Sequence, residues 1–117
     1  MARRVLVVDD HAAFRASAAA WLTQEGQVVV GSCATGEETA GRCAELHPDL
    51  VLVDLNLPGM SGVEVAEVLA AEAEPPTVII ISSDAEAGSD ALVRGAPVAG
   101  FIAKRDLTWP AIDALLW

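Results

Sequence analysis

Asp9 and Asp10, Asp54, Ser82 and Lys104 each stand directly after a short apolar run. The runs are Val5 to Val8, Leu50 to Val53, Val78 to Ile81 and Val98 to Ala103. Apolar runs of this length read as strands buried on both faces, and open parallel sheets present functional side chains at the carboxyl ends of such strands. Three carboxylates gathered at one edge raise one another's pKa unless a hard divalent cation neutralises them. Oxygen-only ligands with open coordination positions favour Mg2+ over zinc or copper. A carboxylate beside Mg2+ that faces a hydroxyl and an ammonium is poised to accept a phosphoryl group. Lys104 and the metal would neutralise the equatorial oxygens and Ser82 would donate to one of them. Taken singly, strand-end Asp and Ser residues cap the following helix and a lone Lys is solvated. The four positions in order point to an aspartyl phosphate.

The elements that must position these groups follow from the alternation of short continuous runs with helical spacing, the pattern of a parallel sheet with crossover helices. The first strand spans about 4–8 and the first helix about 12–24, where Phe14, Ala18, Trp21 and Leu22 form an apolar stripe for the core. A second strand is expected at 28–30. Thr35 with Glu38 forms a capping box that opens a helix at about 36–46. After the strand ending at Asp54, Pro58, Gly59 and Gly62 mark a turn before a helix at about 63–71. A strand at 77–81, a helix at 86–93, a strand at 98–103 and a last helix capped by Thr108, with Pro110 in its first turn, complete five βα units. Right-handed crossovers and short loops lead to an α/β fold, a flavodoxin-like doubly wound five-stranded parallel sheet of order 2-1-3-4-5. That order sets the four strands bearing the special residues side by side.

Composition narrows the partners. The 117-residue chain carries a formal charge of −10 and a pI near 4.3, which disfavours direct binding to nucleic acid or to an anionic membrane. No apolar run approaches the roughly 18 to 20 residues of a membrane span, and Ala2-Arg3-Arg4 leads into a strand rather than a signal-peptide core. A cytoplasmic location is expected. Cys33 and Cys43 lack the spacing and the His partners of a zinc site and read as small buried residues. His47 reads as structural or solvated. His11 opens the first helix beside the acidic pair, where it could tune the electrostatics. Trp21 is expected in the core, Trp109 and Trp117 at an interface.

Leu6 to Asp10 as LVVDD, followed by His11, Phe14 and Arg15, the stretch from Pro48-Asp49 through Asp54-Leu-Asn-Leu-Pro58-Gly59-Met-Ser-Gly62, Ser82, and Gly100-Phe-Ile-Ala-Lys104 closely resemble the receiver domain of bacterial two-component response regulators. The resemblance covers essentially all of residues 1–117. It implies that Asp54 is the phosphoacceptor, Asp10 a direct Mg2+ ligand, Asp9 a water-mediated one, and the backbone carbonyl of Asn56 a further ligand. Ser82 matches the switch hydroxyl, Phe101 the switch aromatic and Lys104 the phosphate-binding lysine. The implied partners are a sensor histidine kinase or phosphotransfer protein and a downstream output protein or domain.

Several features depart from the common receiver pattern. Arg105 follows Lys104 where many receivers have proline. The HAAFR and GFIAK stretches resemble receivers of the class that precedes LuxR-type DNA-binding domains. Ala96-Pro97-Val98-Ala99 lengthens the turn before the last strand and implies a shortened fourth helix. The ending Leu115-Leu116-Trp117 suits packing on the sheet or on a second copy, so a homodimer is among the assemblies it allows, and a stand-alone receiver is favoured over a fragment of a longer regulator. Two rival functions share part of this chemistry. A haloacid-dehalogenase-type phosphatase also uses Asp, Mg2+, Ser or Thr and Lys, but its nucleophile ends the first strand in a DxDx[TV] pattern, unlike Asp9-Asp10. A receiver-like binding module would signal without phosphorylation, yet here every acceptor-site residue is present.

Overall fold

A computed structural model describes residues 2–116. Five strands, β1 (Arg4–Val8), β2 (Val28–Cys33), β3 (Leu50–Asp54), β4 (Thr77–Ser82) and β5 (Gly100–Ala103), alternate with α1 (Ala12–Gln24), α2 (Thr39–Leu46), α3 (Gly62–Ala70), α4 (Ala91–Arg94) and α5 (Trp109–Leu115). All strand pairs are parallel and the sheet order is β2-β1-β3-β4-β5, the flavodoxin-like arrangement expected. Register places Asp54 opposite Ile81 and Ser82 opposite Ala103, so the strands carrying the chemistry finish nearly level.

The continuous apolar runs are explained by burial on both sides of the sheet. Successive side chains point to opposite faces. Val5, Val7, Leu50, Leu52, Ile79, Ile81 and Ile102 pack with Ala18 and Leu22 of α1 and Ile112 of α5. Leu6, Val8, Val51, Val53, Val78 and Ile80 pack on the other face with Cys43 of α2 and Val65, Ala66 and Leu69 of α3. Phe14, Trp21 and Trp109 lie half-buried against the first of these clusters. Trp109 thus sits at the margin of the core, and Trp117 lies outside the described residues. Cys33 and Cys43 are free and buried as expected. Burial holds the Cys33 thiol above its ordinary value and pushes that of Cys43 up to about 11, which keeps both neutral and unreactive.

Several boundaries differ from the sequence reading, each for a local reason. β2 runs on to Cys33, past a register shift between Val5 and Leu6. Thr35 and Glu38 do pair reciprocally, with Thr35 Oγ1 donating to Glu38 Oε1 at 2.9 Å and accepting from the Glu38 N–H at 3.4 Å. The regular helix nevertheless begins only at Thr39. α3 begins at Gly62 on a capping box formed by Ser61 and Glu64, a Ser-x-x-Glu signal that the sequence carried. The helix expected at 86–93 is broken. A 3-10 turn spans Ala87–Ser89, Asp90 is extended, and its carboxylate caps Leu92 to start the four-residue α4. Ser and Asp compete for backbone donors in this way, and Gly88 lies under the Phe101 ring, where a Cβ would come within 2.6 Å of it. The fourth helix is therefore shortened, as the long turn after it implied. β5 starts at Gly100 rather than at Val98, because Val98 donates to Ala96 in a tight turn and the first bond to β4 comes from the Ala99 N–H.

The loop after β3 fixes the site's central strand end. Gly59 takes φ +77 in the turn that follows Pro58, a conformation that favours glycine. A Cβ on Gly62 would stand 2.6 Å from the Asp54 carbonyl oxygen and 2.9 Å from Leu55 Cα, and backbone atoms have nowhere to yield. Gly62→Ala should destabilise the protein by roughly 1–3 kcal/mol, despite the better helix propensity of alanine. Urea unfolding measures this, and an unchanged midpoint would show that the loop is not pinned against α3.

Candidate functional site

Asp9 follows β1 at the edge of the sheet, and its N–H donates to the Cys33 carbonyl at 3.0 Å, which extends the strand pairing into the site. Its side chain is fully buried. Oδ1 accepts from the His11 backbone N–H at 2.8 Å and lies 3.0 Å from His11 Nδ1. Arg15 of α1 donates to the Asp9 carbonyl at 2.6 Å. Asp54 is the last residue of β3, and its Oδ1 accepts from the Asn56 N–H at 2.9 Å, so the turn that follows orients the carboxylate. Asp10 is more exposed and stands 3.2 Å from His11 Nδ1 through its Oδ1.

Lys104, directly after β5, joins these strands. Its Nζ lies 2.9 Å from Asp54 Oδ2 and 2.7 Å from Asp9 Oδ2, with the Phe14 ring centroid 4.3 Å away. The ammonium is thus the partner of both Oδ2 atoms, ion-paired with the buried Asp9 and hydrogen-bonded to Asp54. Ser82 is fully buried at the end of β4, where its Oγ accepts from the Asp84 N–H at 3.1 Å. Phe101 is half-buried on the face shared with Val93 and Val98. The predicted residues Asp9, Asp10, Asp54 and Lys104 thus converge. Asn56 lies in the adjoining turn, while Ser82 is engaged in its own loop.

Electrostatics divide the two buried carboxyls. Burial pushes Asp54 upward, and the Asn56 N–H and the Lys104 ammonium offset only part of that, so its pKa stands above the ordinary carboxylate value. Burial acts on Asp9 in the same sense, but the Lys104 ammonium and the His11 N–H outweigh it, and its pKa is lowered. Burial alone would lower Lys104. Its two carboxylate partners reverse this and keep it cationic. One ammonium therefore balances two acids, with Asp10 beside them uncompensated.

One ligand atom each from Asp9, Asp10, His11 and Asp54 lies within 4.8 Å of the others. Three carboxylates around a single ammonium, offering oxygen donors at the sheet edge, suit a divalent cation. Sequence reasoning assigned Phe14 to the core stripe and gave Arg15 no site role. Both lie in the first turns of α1, just after the acidic pair, and that position was the available signal. A hollow at the opposite end of the sheet, lined by Arg3, His47, Asp49, Glu72 and Thr77 among others, gathers no such convergent set. His47 itself is exposed and ends α2 in the left-handed region at φ 49.

The family model described as "Response regulator receiver domain" matches residues 5–107. The chain belongs to the response regulator receiver domain family. This receiver domain is 36% identical over 81 residues to the transcriptional regulatory protein LiaR of Bacillus subtilis, an alignment covering 68% of the chain and 38% of LiaR. It thus spans well under half the length of that relative. The signal receiver domain of the putative response regulator NarL from Mycobacterium tuberculosis superposes with a TM-score of 0.85 at 29% identity, covering 98% of this chain and 97% of that one. The response regulator domain of Thermotoga maritima CheB gives a TM-score of 0.79 at 27% identity, with 99% and 90% covered. Among the described residues no helix is long and apolar enough to cross a membrane.

Two substitutions test the charge balance of the metal-free receiver. Asp54→Asn should raise stability at pH 7 by roughly 1 kcal/mol, because it removes an ionised group whose folded pKa is raised. The native state binds the extra proton there, so the gain should vanish as pH falls through that raised value. Lys104→Ala should cost roughly 3–5 kcal/mol, since it strands buried carboxylates. Thermal melts in chelator measure both.

Proposed function

We propose that this receiver accepts a phosphoryl group on Asp54 from the phosphohistidine of a sensor histidine kinase or of a phosphotransfer protein. It then switches between inactive and active conformations read by a downstream output protein or domain. The observation that carries this reading is the Lys104 ammonium seated between Asp54 and Asp9, 2.9 and 2.7 Å from their Oδ2 atoms. Each Asp54 oxygen has one partner, Asn56 N–H for Oδ1 and Lys104 for Oδ2, and keeps a lone pair for attack. An Asp54 oxygen forms the new O–P bond while the donor's N–P bond breaks, and the electron pair leaves with the imidazole nitrogen.

Asp10, Asp54 and the backbone carbonyl of Asn56 would hold Mg2+ directly, with Asp9 acting through water. When bound, the ion neutralises charge on the transferred group and positions it. Lys104 remains paired with the acyl phosphate and compensates its equatorial oxygens. The domain thereby assists its own phosphorylation and dephosphorylation while turning over no external substrate. Its setting in this reading is the cytoplasm.

The new group adds roughly −2 of charge. Ser82 would exchange the Asp84 N–H for a bond in which its own O–H donates to the phosphoryl oxygen. The Phe101 ring, now against Gly88, would turn into the space that movement opens. A shift from 1:99 to 99:1 requires about 5.5 kcal/mol of preference for the active state. The receiver's active face then serves the output partner or a second copy of the chain.

Intact-mass analysis after incubation with acetyl phosphate and Mg2+ should show a gain of one phosphoryl group in the wild type and none in Asp54→Ala. Labelling that persists in Asp54→Ala, or its absence from the wild type, would overturn the assignment. Continuous release of phosphate from simple phosphomonoesters would instead favour a phosphatase.

A further inference from the structure

Phe14 touches the one cation of the site from a side that no carboxylate occupies. Its ring centroid lies 4.3 Å from Lys104 Nζ, and that ammonium is only 17% exposed and already paired with Asp9 and Asp54 at 2.7 and 2.9 Å. The face of an aromatic ring carries partial negative charge, so it attracts a cation without demanding a particular N–H direction, and more strongly where water is excluded. Packing alone asks only for an apolar side chain at this position. The face is what an aliphatic residue lacks.

The ring is the fixed partner and the lysine the mobile one. Phe14 is the third residue of α1, half-buried against the cluster that contains Ile81, Ile102 and Ile112. The helix around it is tied to Asp9 on both sides, through the His11 N–H at 2.8 Å and through Arg15, which donates to the Asp9 carbonyl at 2.6 Å. Lys104 instead reaches in on a flexible four-carbon stem from the first residue of a 3-10 turn after β5. Phosphoryl acceptance moves negative charge from the Asp54 carboxylate onto the incoming oxygens, and the ammonium has to follow it. The carboxylate contacts oppose that displacement, whereas attraction to a ring face changes little as the cation slides across it.

We propose that Phe14 is a positioning residue for phosphoryl acceptance, its ring face keeping the Lys104 ammonium at Asp54 while the charge there passes to the incoming group. The inference rests on the phosphoacceptor reading above and adds a residue to it.

The test places phenylalanine analogues with increasing ring fluorination at residue 14 of the full chain, leaving Phe101, the other phenylalanine, unchanged. Fluorine withdraws charge from the ring face while nearly keeping its size and raising its hydrophobicity, so packing and cation attraction are driven in opposite directions. Intact mass followed over time with acetyl phosphate and excess Mg2+ gives the rate. In that reaction an Asp54 oxygen bonds to phosphorus as the donor's bridging P–O bond breaks, and the electron pair leaves on acetate. The rate should fall stepwise, by about 3- to 10-fold from phenylalanine to the pentafluoro analogue. Phe14→Leu should lose at least as much, and Phe14→Tyr, which keeps the ring face, should stay within about twofold of the wild type. Melting temperature in chelator should fall along the same series by about 2–5 °C, a readout that needs neither metal nor donor. A rate or melting temperature that is flat or rising with fluorination, or a loss confined to Phe14→Leu, would reduce the ring to core packing and overturn the proposal. A wild type that takes up no phosphoryl group would instead reject the acceptor reading itself, and this inference with it.

Discussion

The structure depends on one ammonium group shared between two buried carboxylates. Lys104 reaches from the end of β5 to Asp54 at the end of β3 and Asp9 at the end of β1. The contact therefore crosses the sheet edge from its border strand to its centre. Without a cation, burying Asp9 and Asp54 side by side would be prohibitive. With a single one the account is incomplete, which is why burial still raises Asp54. The residual imbalance leaves the edge short of positive charge, and that shortage is what a divalent ion would relieve. The Phe14 ring beside the same ammonium adds an attraction that does not consume its hydrogen-bonding capacity.

Placing that contact requires the rest of the fold. β1, β3 and β4 pair with unbroken parallel register, so the depth at which Asp9, Asp54 and Ser82 emerge is set by strand length and not by loop conformation. The loops then hold each group in place. Asn56 N–H orients Asp54, His11 N–H orients Asp9, and Asp84 N–H occupies Ser82. α3 presses so closely on the Asp54 carbonyl that only glycine fits at residue 62. An edge built from strand ends and main-chain donors fixes its carboxylates before any ligand arrives.

Much of this was legible in the residues because the strongest signals are periodic or terminal. Continuous β-branched runs gave the buried strands, and their last residues gave the convergent set, since sheet order follows from the handedness of crossovers. Lys104 could be placed because β5 must border β4. Contacts made by the first turns of α1 were not legible. Phe14 and Arg15 fit an amphipathic stripe equally well whether they face the core or the site, and helical spacing alone does not distinguish the two. The break before α4 was also hidden, because Glu86 to Val93 has acceptable helical periodicity. Only the competition from Ser89 and Asp90, with the approach of Phe101 to Gly88, decides against a continuous helix.

That break gives the molecule an uneven distribution of rigidity. Between Asp84 and Gly95 only Val93 is buried, and the segment is held by short turns and one Asp90 cap. A region with so few apolar contacts opens at far lower cost than the core strands. β5 links it to the acidic edge, because Phe101 rests on this soft segment while Lys104, three residues on, grips Asp9 and Asp54. A change in charge at the edge acts on β5 at one end, and the least resistant structure lies at the other. β5 therefore meets less resistance from the 84–95 segment than from the sheet behind it.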